Sequence, residues 1–160
     1  MNVKLMLICF SVVFMISTVG YAKPNYDASD LKKFQETNAC RNCNLSNASV
    51  YGDHRHADLV GANISDASFH GDNTMADFSN VVGTKAYISD GSEAKFINAV
   101  LIDASFDGNF TNADFSNAVV RGASFSHTNL YGAKISAQQL MDVRSICDAI
   151  LPDGTKGKCT

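Results

Sequence analysis

A five-residue period decides the fold, and it is clearest between residues 113 and 125. The chain there reads Ala-Asp-Phe-Ser-Asn (113–117), Ala-Val-Val-Arg-Gly (118–122) and Ala-Ser-Phe (123–125). Each unit mostly places a small residue, a polar residue, a large apolar residue and two further polar residues. Neither the two-residue period of a half-buried strand nor the 3.6-residue period of an amphipathic helix produces this spacing. The segment therefore predicts a repeat architecture.

The same unit recurs through most of the chain, at a spacing that is mostly five residues. Its alanines are Ala57, Ala62, Ala67, Ala76, Ala86, Ala94, Ala99, Ala104, Ala113, Ala118, Ala123 and Ala133. One unit is too small to bury its own apolar side chain, so neighbouring units must stack to form a continuous core.

This pattern, from about residue 43 to residue 140, resembles the pentapeptide-repeat family, whose unit is Ala-(Asp/Asn)-(Leu/Phe)-x-x. The resemblance implies an all-β fold, a right-handed quadrilateral β-helix of about five coils with short helical caps at both ends. It also implies that the large residue points to the axis, with the alanine packed beside it.

A longer period indicates an irregular face. Equivalent alanines at 48, 67, 86, 104 and 123 follow one another after 19, 19, 18 and 19 residues. Four full units would need 20, so we expect one face of the tube to be shortened. This register predicts a structural core: Val50, Leu59, Ile64, Phe69, Phe78, Ile88, Phe96, Leu101, Phe106, Phe115, Val120, Phe125, Leu130 and Ile135.

The second interior column departs from the repeat, because it is polar in the first three coils and apolar in the last two. It is predicted to contain His54, Asn73, Ser92, Phe110 and Leu130. One interpretation is that this turn tolerates many residue types, so that its sequence has varied without a functional reason. The other is a candidate interaction face formed by the first four, since departures from a repeat often mark use.

The two ends carry cap signals. Residues 29–34 predict a short helix with Leu31 and Phe34 one turn apart. Ser136-Ala-Gln-Gln139 is a capping-box pattern that predicts a helix to about Arg144. We divide the chain into a signal peptide (1–22), an N-terminal cap (23–42), the pentapeptide-repeat β-helix (43–135), and a C-terminal helix with a cysteine-closed tail (136–160).

The first 22 residues are typical of a secretory signal peptide. Lys4 precedes an apolar run at residues 5–19, and Gly20-Tyr-Ala22 offers small residues for cleavage. An uncleaved anchor is the alternative, but the run is shorter than the roughly 20 residues of a bilayer span. We expect a periplasmic or secreted protein with no membrane attachment after cleavage.

Cysteine use agrees with export. Cys9 leaves with the signal peptide, and an even number remains in the mature chain, which favours disulfides. If the resemblance to the β-helix holds, the coils keep Cys40 and Cys43 far from Cys147 and Cys159. The remaining pairs are Cys40–Cys43 and Cys147–Cys159, with a buried free thiol at Cys43 as an alternative.

Composition limits the function. The 160-residue chain has a formal net charge of −3, which disfavours a nucleic-acid binder. Loss of Lys4 takes the mature charge to −4. The family also contains DNA mimics that bind type II topoisomerases in the cytoplasm; the signal peptide and the weak charge disfavour that alternative.

No pattern predicts catalysis. We expect His54, His56 and His70 on the surface or in turns, and predict no catalytic residue, metal or cofactor. The interpretation is a non-enzymatic exported protein that acts as a structural or protein–protein interaction module. Its protein partner is not specified by the sequence, and a homodimer formed through a solenoid end is a further expectation.

Expression in an exporting host should give a mature protein that begins at Lys23, because cleavage is expected after Ala22. N-terminal sequencing of the exported protein measures this. A protein that begins at Met1 would contradict the predicted localisation.

Overall fold

Successive turns of the chain pair with one another in parallel along four ladders. The computed structural model describes residues 25–159. Residues bridged in parallel lie 18 to 21 positions apart in the chain. The ladders run through Ala39, Asp58, Asp77, Lys95, Asp114 and Lys134; Asn44, Asn63, Val82, Val100 and Val119; Ser49, Ser68, Tyr87, Ser105, Ser124 and Ser145; and Asn109, Asn129 and Ile150. Each turn therefore bonds to the turn before it and the turn after it, which makes the fold a β-helix solenoid.

The third ladder contains the longest strands. They are β1 (Ser49–Asp53), β2 (Ser68–Asp72), β3 (Tyr87–Ser89) and β4 (Ser105–Asp107), which form one parallel sheet in the order β1-β2-β3-β4. Val50 pairs with Phe69, and Ile88 pairs with Phe106. Inward side chains of neighbouring turns consequently stack directly on one another.

Where an Asp follows the alanine, its carboxylate bonds to the backbone at the corner of the turn. The Asp77 carboxylate accepts the Ser79 N–H at 3.0 Å, and Asp114 accepts the Ser116 N–H at 2.9 Å. The chain then passes through a left-handed residue, such as Asn80 (φ 60°) or Asn117 (φ 58°). Asn and Asp tolerate this conformation and bond locally to the backbone, which explains their place in the unit.

Aromatic stacks fill the interior. Phe78, Phe96 and Phe115 stack in one column, with ring centroids 5.1 and 4.7 Å apart. Phe106 stacks on Phe125 at 4.6 Å and meets the edge of Phe115 at 5.4 Å. Offset and edge-to-face pairs of this kind add to the stabilisation from burial. The structure buries every predicted core position except one.

Ile135 is the exception, because it is only half-buried. The turn that would cover it is replaced by helix α2 (Ala137–Met141), which leaves a surface cavity of about 550 Å³ beside Ile135. Gln139 of α2 donates to the Phe115 carbonyl at 2.8 Å and to the Ala118 carbonyl at 2.9 Å. The helix thus bonds to the end of the β-helix but does not bury Ile135 as a further turn would.

Helix α2 has the predicted capping box but ends before the predicted Arg144. Ser136 Oγ accepts the Gln139 N–H, and Gln139 Oε1 accepts the Ser136 N–H at 2.8 Å. The chain then returns to the third ladder, where the Arg144 N–H bonds to the Ala123 carbonyl and Ser145 bridges to Ser124. This return to β pairing ends the helix.

Helix α1 (Ala28–Thr37) caps the other end and is longer than predicted. Asp27 accepts the Ser29 N–H at 2.8 Å as N-cap. Phe34 is buried over the first coil, with its ring centroid 5.8 Å from that of Phe69. The helix therefore covers the open end of the interior with an apolar side chain.

The parallel bridges extend beyond the predicted 43–135 segment at both ends, from Ala39 to Ile150. The predicted signal peptide lies outside the described residues. Neither helix within residues 25–159 has the length and apolarity that a bilayer-crossing segment needs.

Phe106→Ala should lower the free energy of unfolding by about 3–5 kcal/mol, because the ring is buried among other aromatic rings and its removal leaves a cavity. Arg121→Ala is the matched surface control, expected within about 0.5 kcal/mol of the wild type. Urea denaturation measures both, and equal losses would contradict the register.

Candidate functional site

The irregular face of the solenoid joins the first interior column to the second. It consists of residues 50–54, 69–73, 88–91 and 106–110, and we call it the shortened face. Phe69 and Asn73 are four positions apart, whereas Ile88 and Gly91 are three apart. A full unit would separate inward residues by five positions, so each of these turns lacks backbone length.

Gly91, and not the predicted Ser92, occupies the interior column in the third coil. Gly91 is buried and Ser92 only half-buried. A Cβ built on Gly91 would lie 2.7 Å from Cε1 of Phe110, so the Phe110 ring fills the space that the glycine leaves. The sequence prediction of Ser92 is wrong because this turn loses one residue more than its neighbours.

Polar side chains replace the backbone bonds that the missing residues would have made. Asn73 Nδ2 donates to the Ser89 carbonyl at 2.7 Å. Ser89 Oγ accepts the Gly71 N–H and donates to the Gly71 carbonyl, both at 2.9 Å. Asp90 Oδ1 accepts the Asn109 N–H at 2.9 Å. Asn73 and Ser89 therefore satisfy buried and partly buried backbone groups, which would be costly to leave unpaired. The Asn73 Oδ1 atom itself has no hydrogen-bond partner within residues 25–159.

His54 is the least well satisfied member of the interior column. Its side chain lies between Phe34 and Phe69, with ring centroids 5.4 and 6.3 Å away, and the residue is 8% exposed. Its Nε2 has no hydrogen-bond partner within residues 25–159. Burial lowers the pKa of His54, and the nearby Asp53 carboxylate opposes that shift.

The predicted interaction face of His54, Asn73, Ser92 and Phe110 requires correction. The structure buries His54, Asn73 and Phe110, and their side chains belong to the interior. A binding partner at the surface cannot touch them, because the tube must be filled for the coils to stack. The departure from the repeat correctly indicated an irregular backbone, but it did not indicate residues that contact a partner.

An aromatic stack lies on the outer side of the same face, with Tyr51 exposed and His70 and Tyr87 half-buried, and sequence reasoning missed it. The His70 ring stacks on Tyr51, with centroids 4.7 Å apart and planes 7° apart, and lies 4.9 Å from Tyr87. Tyr51 is 72% exposed. The Tyr87 hydroxyl donates to Asp107 at 3.1 Å, and burial together with this bond raises its pKa. The sequence signal was present: Tyr51 and His70 are 19 residues apart.

Charged residues border this stack. Arg55 Nε donates to Asp53 at 2.9 Å and lies 3.7 Å from Asp72. The hydrogen bond from Arg55 is the main reason that the pKa of Asp53 falls to about 2. Asp53 therefore keeps its negative charge at any physiological pH.

The cysteines pair within each end of the chain. Cys40 bonds to Cys43, with both residues buried, and Cys147 bonds to Cys159 near the surface. The two clusters of potential metal-ligand atoms in residues 25–159 contain these pairs, one with Asp30 and one with Asp148. A sulfur in a disulfide has no thiolate to offer a metal.

Acidification should destabilise the fold through His54. The folded state favours the neutral ring, whereas the unfolded chain protonates near the ordinary pKa of about 6.5. Stability is therefore full above that pH and falls by at most about 1.4 kcal/mol per pH unit below it.

Urea unfolding at pH 7.5 and pH 5.5 tests this effect, with His54→Leu as the variant that should lose the pH dependence. His127→Leu, at an exposed histidine, is the control that should keep it. An unchanged pH dependence in His54→Leu would assign the effect to another group.

Comparison with known proteins gives one family match and several distant structural likenesses. The family model "Pentapeptide repeats (8 copies)" matches residues 109–142. A search of curated protein sequences finds no match. Among solved structures, the pentapeptide repeat protein Rfr23 of the cyanobacterium Cyanothece is 19% identical over 81% of this chain and 98% of its own, with a TM-score of 0.41.

Two further structures have lower scores. HetL, a pentapeptide repeat protein involved in heterocyst differentiation regulation in Nostoc, is 19% identical over 82% of this chain and 56% of its own, with a TM-score of 0.35. A thylakoid-lumen pentapeptide repeat protein of Arabidopsis thaliana is 25% identical over 57% of this chain and 59% of its own, with a TM-score of 0.19. The matched family model identifies residues 109–142 as pentapeptide repeats, and the same five-residue unit builds the ladders in the rest of the described solenoid.

Proposed function

We propose that this protein is an exported, non-enzymatic β-helix that acts as a structural or protein–protein interaction module. The observation that carries the proposal is the contrast between a filled interior and an outward-facing stack, in which Tyr51 is exposed and His70 and Tyr87 are half-buried. A binding function must then use the outer surface. Aromatic residues, tyrosine above all, are enriched where protein surfaces bind partners.

The proposal includes the finer architecture. It takes the solenoid as a right-handed quadrilateral β-helix of about five coils, with residues 43–135 as the repeat segment. The four bridge ladders support four faces. Residues 1–22 act as a signal peptide in this proposal, and the mature protein resides in the periplasm or outside the cell.

The charge pattern favours protein contact over DNA mimicry. A DNA mimic needs continuous negative charge along its axis to imitate the phosphate backbone. The first ladder instead alternates in sign from Asp77 through Lys95 and Asp114 to Lys134. Lys134 lies 2.9 Å from Asp114, and Lys95 lies 3.9 Å from Asp77. Exposed pairs of this kind add little stability, but they interrupt any negative stripe.

Cross-linking of the mature protein in an envelope fraction of an exporting host tests the proposal. The wild type should capture a defined protein, and His70→Ala/Tyr87→Ala should reduce that capture because the variant lacks most of the aromatic stack. Tyr131→Ala is the matched control, since Tyr131 is exposed elsewhere on the solenoid. Capture that is equal for all three proteins, or no capture at all, would refute an interaction role for this surface.

A further inference from the structure

Helix α1 covers one side of the His54 ring, and the second coil covers the other. The centroid of the His54 ring lies 5.4 Å from that of Phe34 in α1 and 6.3 Å from that of Phe69 in the second coil. The His54 N–H bonds to the Asp72 carbonyl, so the backbone at this residue is fixed by the ladder. Departure of α1 would therefore expose the imidazole to water while its backbone stays in place.

The buried ring nitrogen of His54 suits the uncharged ring and not the charged one. The residue is 8% exposed, and its Nε2 has no hydrogen-bond partner within residues 25–159. A neutral imidazole can leave this nitrogen as an unpaired acceptor, at a modest cost. Protonation would turn the same nitrogen into a cationic donor that still lacks an acceptor, which is far more costly in an apolar environment. The closed position of α1 consequently opposes protonation of His54.

The charged groups that face His54 do not remove this cost. The residues beside the ring come from α1, its C-cap and β1: Phe34, Gln35, Asn38, Val50, Tyr51 and Asp53. Among them Asp53 carries the only charge, and Tyr51 is the only other titratable group. The Asp53 carboxylate already bonds to Arg55, and burial outweighs its attraction for the imidazolium, so the pKa of His54 is lowered. On the side of the second coil, the Asp72 carboxylate also lies 3.7 Å from Arg55.

Polar bonds near its two ends and a buried ring between them hold α1 on the first coil. Near the N-terminal end, the Asn44 N–H donates to the Asp30 carboxylate at 2.8 Å. At the C-terminal end, Asn38 Nδ2 donates to the Arg55 carbonyl at 2.9 Å. Phe34 is the buried residue of the helix. These contacts are separate from the bonds of the parallel ladders, so α1 can leave without breaking a ladder bond.

The chain also has a natural point at which α1 can separate from the β-helix. The helix ends at its C-cap Asn38, which is in the left-handed conformation (φ 55°). The parallel ladder begins at the next residue, Ala39, which bridges to Asp58. The Cys40–Cys43 disulfide then cross-links the turn that follows. Opening of the helix therefore stops at the start of the first coil.

We propose that helix α1 is an acid-sensitive cap that leaves the first coil when His54 is protonated, while the β-helix behind it stays folded. In the open form the imidazolium is hydrated, and withdrawal of Phe34 exposes the apolar end of the interior to water. The switch operates in the pH range in which histidine ordinarily changes its charge. It differs from a general loss of stability, because the first response to acid belongs to one helix, and it does not depend on the interaction role proposed above.

Hydrogen exchange of the backbone amides at pH 7.5 and pH 5.5 tests the proposal on the mature protein. After correction for the intrinsic effect of pH on exchange, the amides of α1 should lose protection by a factor of about ten between the two values. This factor follows if His54 titrates near the ordinary pKa of about 6.5 in the open form and resists protonation in the closed form. The cap is therefore most stable above that pKa and weakens below it.

Added urea separates release of the helix from global unfolding. Below the unfolding midpoint, exchange of the α1 amides should change little with urea, because departure of one short helix exposes little surface. Exchange of the β3 and β4 amides should accelerate with urea, because it requires an opening that exposes the interior. The two sets of amides thus report on different openings of the same molecule.

His54→Leu is the test variant, because leucine occupies the same interior column at Leu130 and cannot be protonated. Its α1 amides should keep their protection at pH 5.5. His127→Leu is the matched control, since the His127 side chain is 71% exposed and lies far along the chain from α1. This control should show the same loss of about tenfold as the wild type.

Three results would each overturn the proposal: wild-type α1 amides that keep their protection at pH 5.5, a loss that persists in His54→Leu, or a urea dependence of α1 equal to that of β3 and β4. If His54→Leu does not fold, an NMR titration of the wild type decides. The His54 ring and the α1 amides should then titrate with one shared midpoint, and separate midpoints would refute the coupling.

Discussion

Parallel pairing between successive turns is the constraint on which the rest of the structure depends. Each turn bonds to neighbours 18 to 21 residues away, so an inward residue must fit directly above and below its equivalents. The Phe78, Phe96 and Phe115 stack shows the favourable outcome of this rule. Gly83 shows its limit, because an added Cβ would approach side-chain atoms of Ile64 and Leu101 to 3.1 Å. The size of each inward side chain is therefore limited by the residues directly above and below it in the same interior column.

The same constraint explains the irregular face. When a turn loses a residue, its backbone groups no longer meet those of the next turn, and buried groups must find other partners. Asn73 and Ser89 supply those partners from their side chains. The polar side chains of the interior column thus bond to backbone groups that the shortened turns leave unpaired. Tyr51 and His70, which face outward at the same turns, make no such bonds within the described part of the chain.

The repeat unit made much of the fold predictable from the sequence, because alanine and the large apolar residue report directly on the interior. Phe106 and Phe125 followed from the period alone. Ser92 and Ile135 did not, since each depends on a change of turn length or on the replacement of a turn by α2. The outward-facing aromatic stack was also missed, because the repeat does not restrict which residue types occupy outward positions. Only the pairing register places the Tyr51 ring against His70.

The positions of the two disulfides have a consequence for the length of the molecule. Cys40–Cys43 lies within the first turn and Cys147–Cys159 within the last, so neither bond ties one end of the chain to the other. Within residues 25–159 no disulfide crosses the turns between them, which are held by contacts with adjacent turns and with the two terminal helices. Duplication or deletion of one whole turn in that stretch leaves both covalent loops and both terminal helices intact. The architecture thus permits rods of different length to evolve between the same two ends, as in other repeat proteins whose stability is a sum over neighbours.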